Sequence, residues 1–254
     1  MLIQQTVEKL KSMRLGTMAE LLLNQQSQAA AAELSFEERL SLLVDYEWTN
    51  RQNKKLQRLL KNARLKIDAC MEDINYTHPR QLDKKLMAHL GSLKWLLSHQ
   101  NVLVSGPTGV GKTYLICALG NQACRQGFST RYFKLSKLLA EIAAGRADGS
   151  LPRFLNNLLK TDLLIVDDWG LSVLSADEGR DFLDIIDDRL KRGSTIMASQ
   201  LPIDEWYSAI SDPTIADAVL DRLVHNSHKL ISVSYTHLRA HETVLDLVCR
   251  LLLE

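Results

Sequence analysis

Eight consecutive residues, Gly106-Pro107-Thr108-Gly109-Val110-Gly111-Lys112-Thr113, match G-x-x-x-x-G-K-[ST] in full. These types at this spacing suit the gripping of a polyphosphate. Glycines let the chain wrap closely enough for backbone N–H groups to face phosphate oxygens, and a following helix N-terminus adds positive field. Lys112 would reach the β and γ oxygens, and Thr113 would offer its hydroxyl to Mg2+. About fifty residues on, the apolar run Leu163-Leu164-Ile165-Val166 ends in Asp167-Asp168. Acids at the end of a buried parallel strand fall where open α/β sheets bind their ligands. Asp167 is expected to hold Mg2+, directly or through water, and Asp168 to polarise the attacking water. Asp168 departs from the glutamate that most ATPases of this build carry there. One methylene shorter, it predicts slower hydrolysis.

The elements needed to position these groups are legible around them. Asn101-Val102-Leu103-Val104-Ser105 reads as a buried strand leading into the glycine loop, and residues 112–126 read as a helix leaving it. Strands over 130–134, 163–167 and 194–199 alternate with helices from Ser136 and over 176–192. That rhythm calls for right-handed crossovers and a parallel sheet covered on both faces. Residues 73–79 are turn-like, a helix is expected over about 81–98, and beyond Pro202 the chain looks helical again, most clearly over 215–224.

Residues 1–68 contain no proline and a single glycine, Gly16, and are expected to form an all-helical module. Residues 24–32, rich in glutamine and alanine, read as a bridge, and Ser35 with Glu37 and Glu38 marks the start of the helix that follows. Between Trp48 and Lys66 there are seven cations and no acid. Arg51, Lys54, Lys55, Arg58 and Lys61 share one helical face, while Leu56, Leu59, Leu60, Ala63 and Ile67 take the other side. A basic stripe on a helix can neutralise phosphates of a DNA duplex, and an ordinary solvated face has the same pattern.

Composition bounds the remainder. With 254 residues and 46% hydrophobic content, the chain can bury one sizeable core and a small extra module. A net charge of +1 gives no global field for nucleic acid, so any DNA surface must be local. Cys70, Cys117, Cys124 and Cys249 form no C-x-x-C pair, and Cys117 and Cys124 are expected to pack against the sheet. No apolar stretch approaches membrane-spanning length and no signal pattern opens the chain, so a cytoplasmic protein without membrane contact is expected.

With both phosphate-site motifs placed, further segments become recognisable. Residues 71–76 and Gly106 to Thr113, together with Leu164-Ile165-Val166-Asp167-Asp168-Trp169-Gly170, Ala198-Ser199-Gln200-Leu201-Pro202 and Leu220-Asp221-Arg222-Leu223-Val224-His225-Asn226, closely resemble the IstB family over roughly residues 1–232. These are ATP-binding helper proteins of insertion sequences, related to the DnaC helicase loaders in the AAA+ class. The resemblance implies an α/β AAA+ P-loop NTPase core over residues 69–233 behind the helical module. It implies ATP and Mg2+ as cofactors, ATP hydrolysis, and homo-oligomeric assembly on double-stranded DNA. The implied partner is the transposase of the same element, recruited or stimulated in DNA transposition. Carried over by position, Gln200 would line up water and γ-phosphate, and Arg222 would be presented to a neighbour's γ-phosphate. Asn75 and Tyr76 fall where related loaders contact adenine.

Residues 234–254 depart from the family and resemble a translated sequencing adaptor, so a non-native tail lacking a second nucleotide sensor is expected. Two histidine pairs, His225 with His228 and His237 with His241, have no third metal ligand at matching spacing. Rival readings are a DnaC-like replicative helicase loader, a metabolite kinase, and a protein that holds ATP without turnover.

Overall fold

The computed structural model describes residues 2–27, 33–76 and 82–231, and the chain divides into two compact units, Met1–Arg58 and Leu59–Glu254. The sequence puts the module boundary near residue 68; the units divide ten residues earlier, inside one continuous helix. The tail 234–254, with His237 and His241, lies outside the described residues.

The first unit contains α1 (Leu2–Ser12), α2 (Gly16–Ser27) and most of α3 (Phe36–Ala63). The helix α2 thus takes in the start of the expected bridge, and residues 28–32 lie outside the described residues. The helix start expected at Ser35 is present and is closed by a capping box: Ser35 N donates to Glu38 Oε2 at 2.8 Å, and Glu38 N donates to Ser35 Oγ at 3.2 Å. Among the described residues of this unit the buried apolar side chains are few (Val7, Ala19 and Leu43), and polar contacts dock α2 on α3. Glu47 accepts the Met18 N–H at 3.0 Å, and Asn50 hydrogen-bonds Thr17 Oγ1. Burial alone would raise the Glu47 pKa, but Arg51 and the Met18 N–H outweigh it and hold the carboxyl below its usual range.

In the second unit, α3 is followed by α4 (Lys84–Gly91) and α5 (Lys94–Leu97), then β1 (Asn101–Ser105), α6 (Lys112–Arg125) and β2 (Thr130–Lys134). Next come α7 (Leu135–Asp148), α8 (Leu151–Leu159), β3 (Leu163–Trp169), α9 (Ala176–Arg189) and β4 (Ser194–Ser199). A 3-10 helix (Ile203–Ala209), α10 (Pro213–Val224) and β5 (Ser227–Ile231) complete the unit. The strands form one parallel sheet in the order β2-β3-β4-β1-β5.

Alternate strand residues feed opposite faces, as the period of two requires. Val102, Val104, Ile165 and Ile196 join the core under α4, α5 and α6, whereas Leu103, Leu164, Val166 and Met197 join the core under α7, α9 and α10. Gly120 lets α6 lie close to the sheet: a Cβ there would come within 2.7 Å of Ile165 Cδ1. Cys117 and Cys124 are buried in that layer, as expected.

Three expectations need correction. The helix expected over 81–98 is two helices, because Leu93 turns the chain through φ 56. The basic helix stops at Ala63, where Arg64 takes φ 52, so Ile67 leaves the helical face assigned to it. The fifth strand, β5, lies in a stretch read as helical.

Candidate functional site

The crevice beyond the C-terminal ends of β1 and β3 collects the phosphate-loop residues and the acid pair. The loop between β1 and α6 is shaped by Gly109 (φ 85) and Gly111 (φ 89), conformations that side chains with a Cβ rarely adopt. Lys112 is buried, and its Nζ donates to Gly106 O at 2.7 Å and Pro107 O at 2.9 Å. Burial pushes its pKa down, opposed by the negative charges of Asp167 and Asp168. An ammonium this desolvated, whose hydrogen-bond acceptors are carbonyls, suits a phosphate anion in the same loop.

Opposite the loop, Asp167 is 2% exposed and fully engaged. Its Oδ2 accepts the Thr113 hydroxyl at 2.8 Å and the Tyr132 hydroxyl at 2.9 Å, and its Oδ1 accepts the Asp168 N–H at 2.9 Å. Burial raises the Tyr132 pKa, and the Asp167 charge adds to the effect, so the phenol stays a donor. Asp168 lies in an irregularity of the β3–β4 ladder between Val166 and Trp169, at φ 65. The bulge re-aims its side chain toward β2, where Lys134 Nζ stands 2.8 Å from Asp168 Oδ2. That hydrogen bond and the Asp168 charge raise the Lys134 pKa.

Gln200 follows β4 and is tied across the crevice: the Thr108 hydroxyl donates to its Oε1 at 2.6 Å. Between these walls lies a cavity of about 370 Å³, lined by Thr108, Gly109, Gly111, Lys112 and Thr113 from the loop and first turn, by Asp167, Asp168 and Gln200, and by Lys66, Ile67 and Tyr114. A hydroxyl and a carboxylate 2.8 Å apart beside a phosphate loop are the hard oxygen donors that Mg2+ takes, with phosphate oxygens and waters completing its shell. The residues present therefore fit both a nucleoside triphosphate and the divalent ion.

Other predicted residues sit apart from this crevice. Arg222, on α10, is not among the cavity's lining residues. Its Nε donates to Asp187 Oδ1 at 2.5 Å and its Nη1 to Ala218 O at 2.9 Å. Asn75 and Tyr76 precede α4; Tyr76 packs against the core, with Lys84 Nζ 5.4 Å from its ring centroid, and neither residue lines the cavity. The sequence does not signal the wall of Lys66, Ile67 and Tyr114, because no glycine or proline marks the end of α3 that brings the first two there. Nothing in the sequence marks Tyr132 and Lys134 as more than members of a strand.

On the first unit, Arg51, Lys54 and Arg58 border an open cavity of about 750 Å³, joined by Arg14 from the turn between α1 and α2. Arg51 Nε pairs with Glu47 Oε1 at 2.7 Å, and its Nη2 donates to Arg14 O at 2.8 Å. Lys54, Lys55, Arg58 and Lys61 are exposed along α3. No helix among the described residues is long and apolar enough to cross a membrane.

A family model described as IstB-like ATP binding protein matches residues 8–243. The insertion sequence ATP-binding protein y4pL of Sinorhizobium fredii is 42% identical over 230 residues, 91% of this chain and 94% of that protein. The ATP-binding protein of insertion sequence IS1162 from Pseudomonas fluorescens is 47% identical over 214 residues, 84% of this chain and 93% of that one. Among solved structures, DnaI superposes with a TM-score of 0.57 at 18% identity, covering 69% of this chain and 93% of its own. The DnaC helicase loader superposes with a TM-score of 0.52 at 17% identity, covering 68% of this chain and 98% of its own. At such identities the likeness is one of fold.

Proposed function

The chain belongs to the family of IstB-like ATP-binding proteins, and from that premise we propose that it binds and hydrolyses ATP with Mg2+ as a helper of DNA transposition. In this reading it assembles as a homo-oligomer on double-stranded DNA in the cytoplasm and recruits or stimulates the transposase of its element. The observation that carries the reading is the facing pair of Thr113 and Asp167, 2.8 Å apart, beside a glycine loop with a buried lysine.

Loop N–H groups and Lys112 hold the β- and γ-phosphates, with the N-terminus of α6 adding positive field. Thr113 and Asp167 hold Mg2+, which supplies charge neutralisation and orientation of the phosphate oxygens when bound. Asp168 accepts the proton of the attacking water. Gln200, tied to the loop by Thr108, lines up water and γ-phosphate. Arg222, outside its own subunit's cavity, serves the neighbour's site, so hydrolysis waits for assembly. Asn75 and Tyr76 remain the expected adenine contacts. Arg51, Lys54, Lys55, Arg58 and Lys61 contact duplex phosphates.

ATP hydrolysis with and without duplex DNA tests the reading, and DNA stimulation is the expected result. Phosphate transfer to a small acceptor would replace it with a metabolite kinase, and ATP binding without turnover with a passive holder. The DnaC-like core fold also suits a replicative helicase loader. Capture of a hexameric helicase instead of a transposase would select that alternative. For the DNA stripe, changing Arg51, Lys54, Lys55 and Arg58 to Glu should weaken binding across all sequences. The slope of log affinity against log salt should flatten by about 3 to 4, since each phosphate contact contributes roughly 0.9. An unchanged slope would reduce the stripe to a solvated face.

A further inference from the structure

The acid pair is held from the side by a strand that carries no recognised motif. Tyr132 lies in β2, the edge strand beside β3, and is buried within the apolar core of the face that carries α6. A hydroxyl in such surroundings is costly unless it is hydrogen-bonded, and the partner it has is Asp167 Oδ2 at 2.9 Å. A phenylalanine would fill the same space without that cost, so the hydroxyl's place is explained by the carboxylate it touches.

We propose that Tyr132 is a positioning residue for Asp167, fixing the carboxylate's orientation so that it can hold the divalent ion. The inference rests on the reading of Asp167 as the metal-side acid. Asp167 takes hydrogen bonds from three donors, and one of them, the Thr113 hydroxyl, is itself a group the ion would engage. When Thr113 turns to the ion, Tyr132 and the Asp168 N–H are the donors that keep the carboxylate in place. Donors behind a metal ligand, though they never touch the metal, commonly govern its affinity by 10- to 100-fold (about that range). Two residues further along the same face of β2, Lys134 holds the other acid through Asp168 Oδ2 at 2.8 Å. The register pairs Tyr132 with Ile165 and Lys134 with Asp167, so one short strand addresses both carboxylates.

The test uses the full chain with ADP and Mn2+ in place of Mg2+, free and bound Mn2+ being read by electron paramagnetic resonance. Tyr132→Phe keeps the ring and removes only the hydroxyl, so the fold should survive; a melting curve accompanies each variant. The expected result is Mn2+ affinity lowered by roughly tenfold, with ADP affinity in EDTA unchanged. Lys134→Met leaves the Tyr132–Asp167 hydrogen bond in place and removes a cation beside the acid pair, so it should not lower Mn2+ affinity. Equal Mn2+ affinity for wild type and Tyr132→Phe overturns the inference alone, as does an equal loss in Lys134→Met. Absence of any ADP-dependent Mn2+ binding in the wild-type protein overturns the site reading and this inference together.

Discussion

The backbone at Asp168 turns through φ 65, a region that aspartate and asparagine enter several-fold more readily than longer side chains. This gives a physical reason for the shorter acid: the bulge that re-aims residue 168 favours Asp over Glu. It also makes Asp168→Asn a clean probe, since Asn tolerates the same backbone and removes only the charge. ATP affinity should stay within about twofold while hydrolysis falls by roughly 10²- to 10⁴-fold, the usual worth of a proton acceptor. Turnover at the wild-type rate, measured as phosphate release, would remove Asp168 from its role. The phosphate loop and acid pair were legible in the sequence because their chemistry demands particular residue types at fixed spacing. The partners of the acids were not: nothing in Thr130-Arg131-Tyr132-Phe133-Lys134 distinguishes residues that contact carboxylates from ordinary strand residues. Only pairing with β3 brings them there.

Strands β1, β3 and β4 were readable because burial on both faces gives short, nearly continuous apolar runs. The edge strand β5, Ser-His-Lys-Leu-Ile, buries only Leu230 and so offers no such run. Its polar members nevertheless have structural consequences. His228 faces the His89 ring of α4, with centroids 5.1 Å apart, and its Nε2 lies 3.0 Å from Gln100 Oε1. Burial lowers the His228 pKa below 6.5, and the neighbouring His89 lowers it further. A lowered value in the folded state means that the unfolded chain binds the extra proton more readily. This contribution to stability is therefore present above about pH 6.5 and lost as pH falls below it. The melting temperature should drop between pH 7 and pH 5.5, and His228→Gln should make that drop shallower. An unaltered pH profile in the variant would show that the titration lies elsewhere.

For the whole molecule, the proposed assembly turns on Arg222. Within one chain it pairs with Asp187 and does not line the cavity, and the proposed role sets it at another subunit's nucleotide. Arg222→Ala should therefore bind ATP normally yet hydrolyse it about 10³-fold more slowly, or worse. Mixing it with Lys112→Ala should restore part of the activity, because each variant supplies what the other lacks. No recovery on mixing, with both proteins shown to co-assemble, would deny the trans role. The family was readable from the sequence as a combination of motifs. The division of the chain at Arg58 was not, since it falls within a helix whose pattern continues unbroken.

All of these roles presuppose a triphosphate held between the loop and Asp167. The direct measurement is calorimetric titration of ATP into the wild-type protein and Lys112→Ala, with Mg2+ and with EDTA. Tight binding by wild type is expected, weakened when Mg2+ is removed, with no tight binding by Lys112→Ala under either condition. Equal affinity in the two proteins, or wild-type affinity indifferent to Mg2+, would contradict a triphosphate held there.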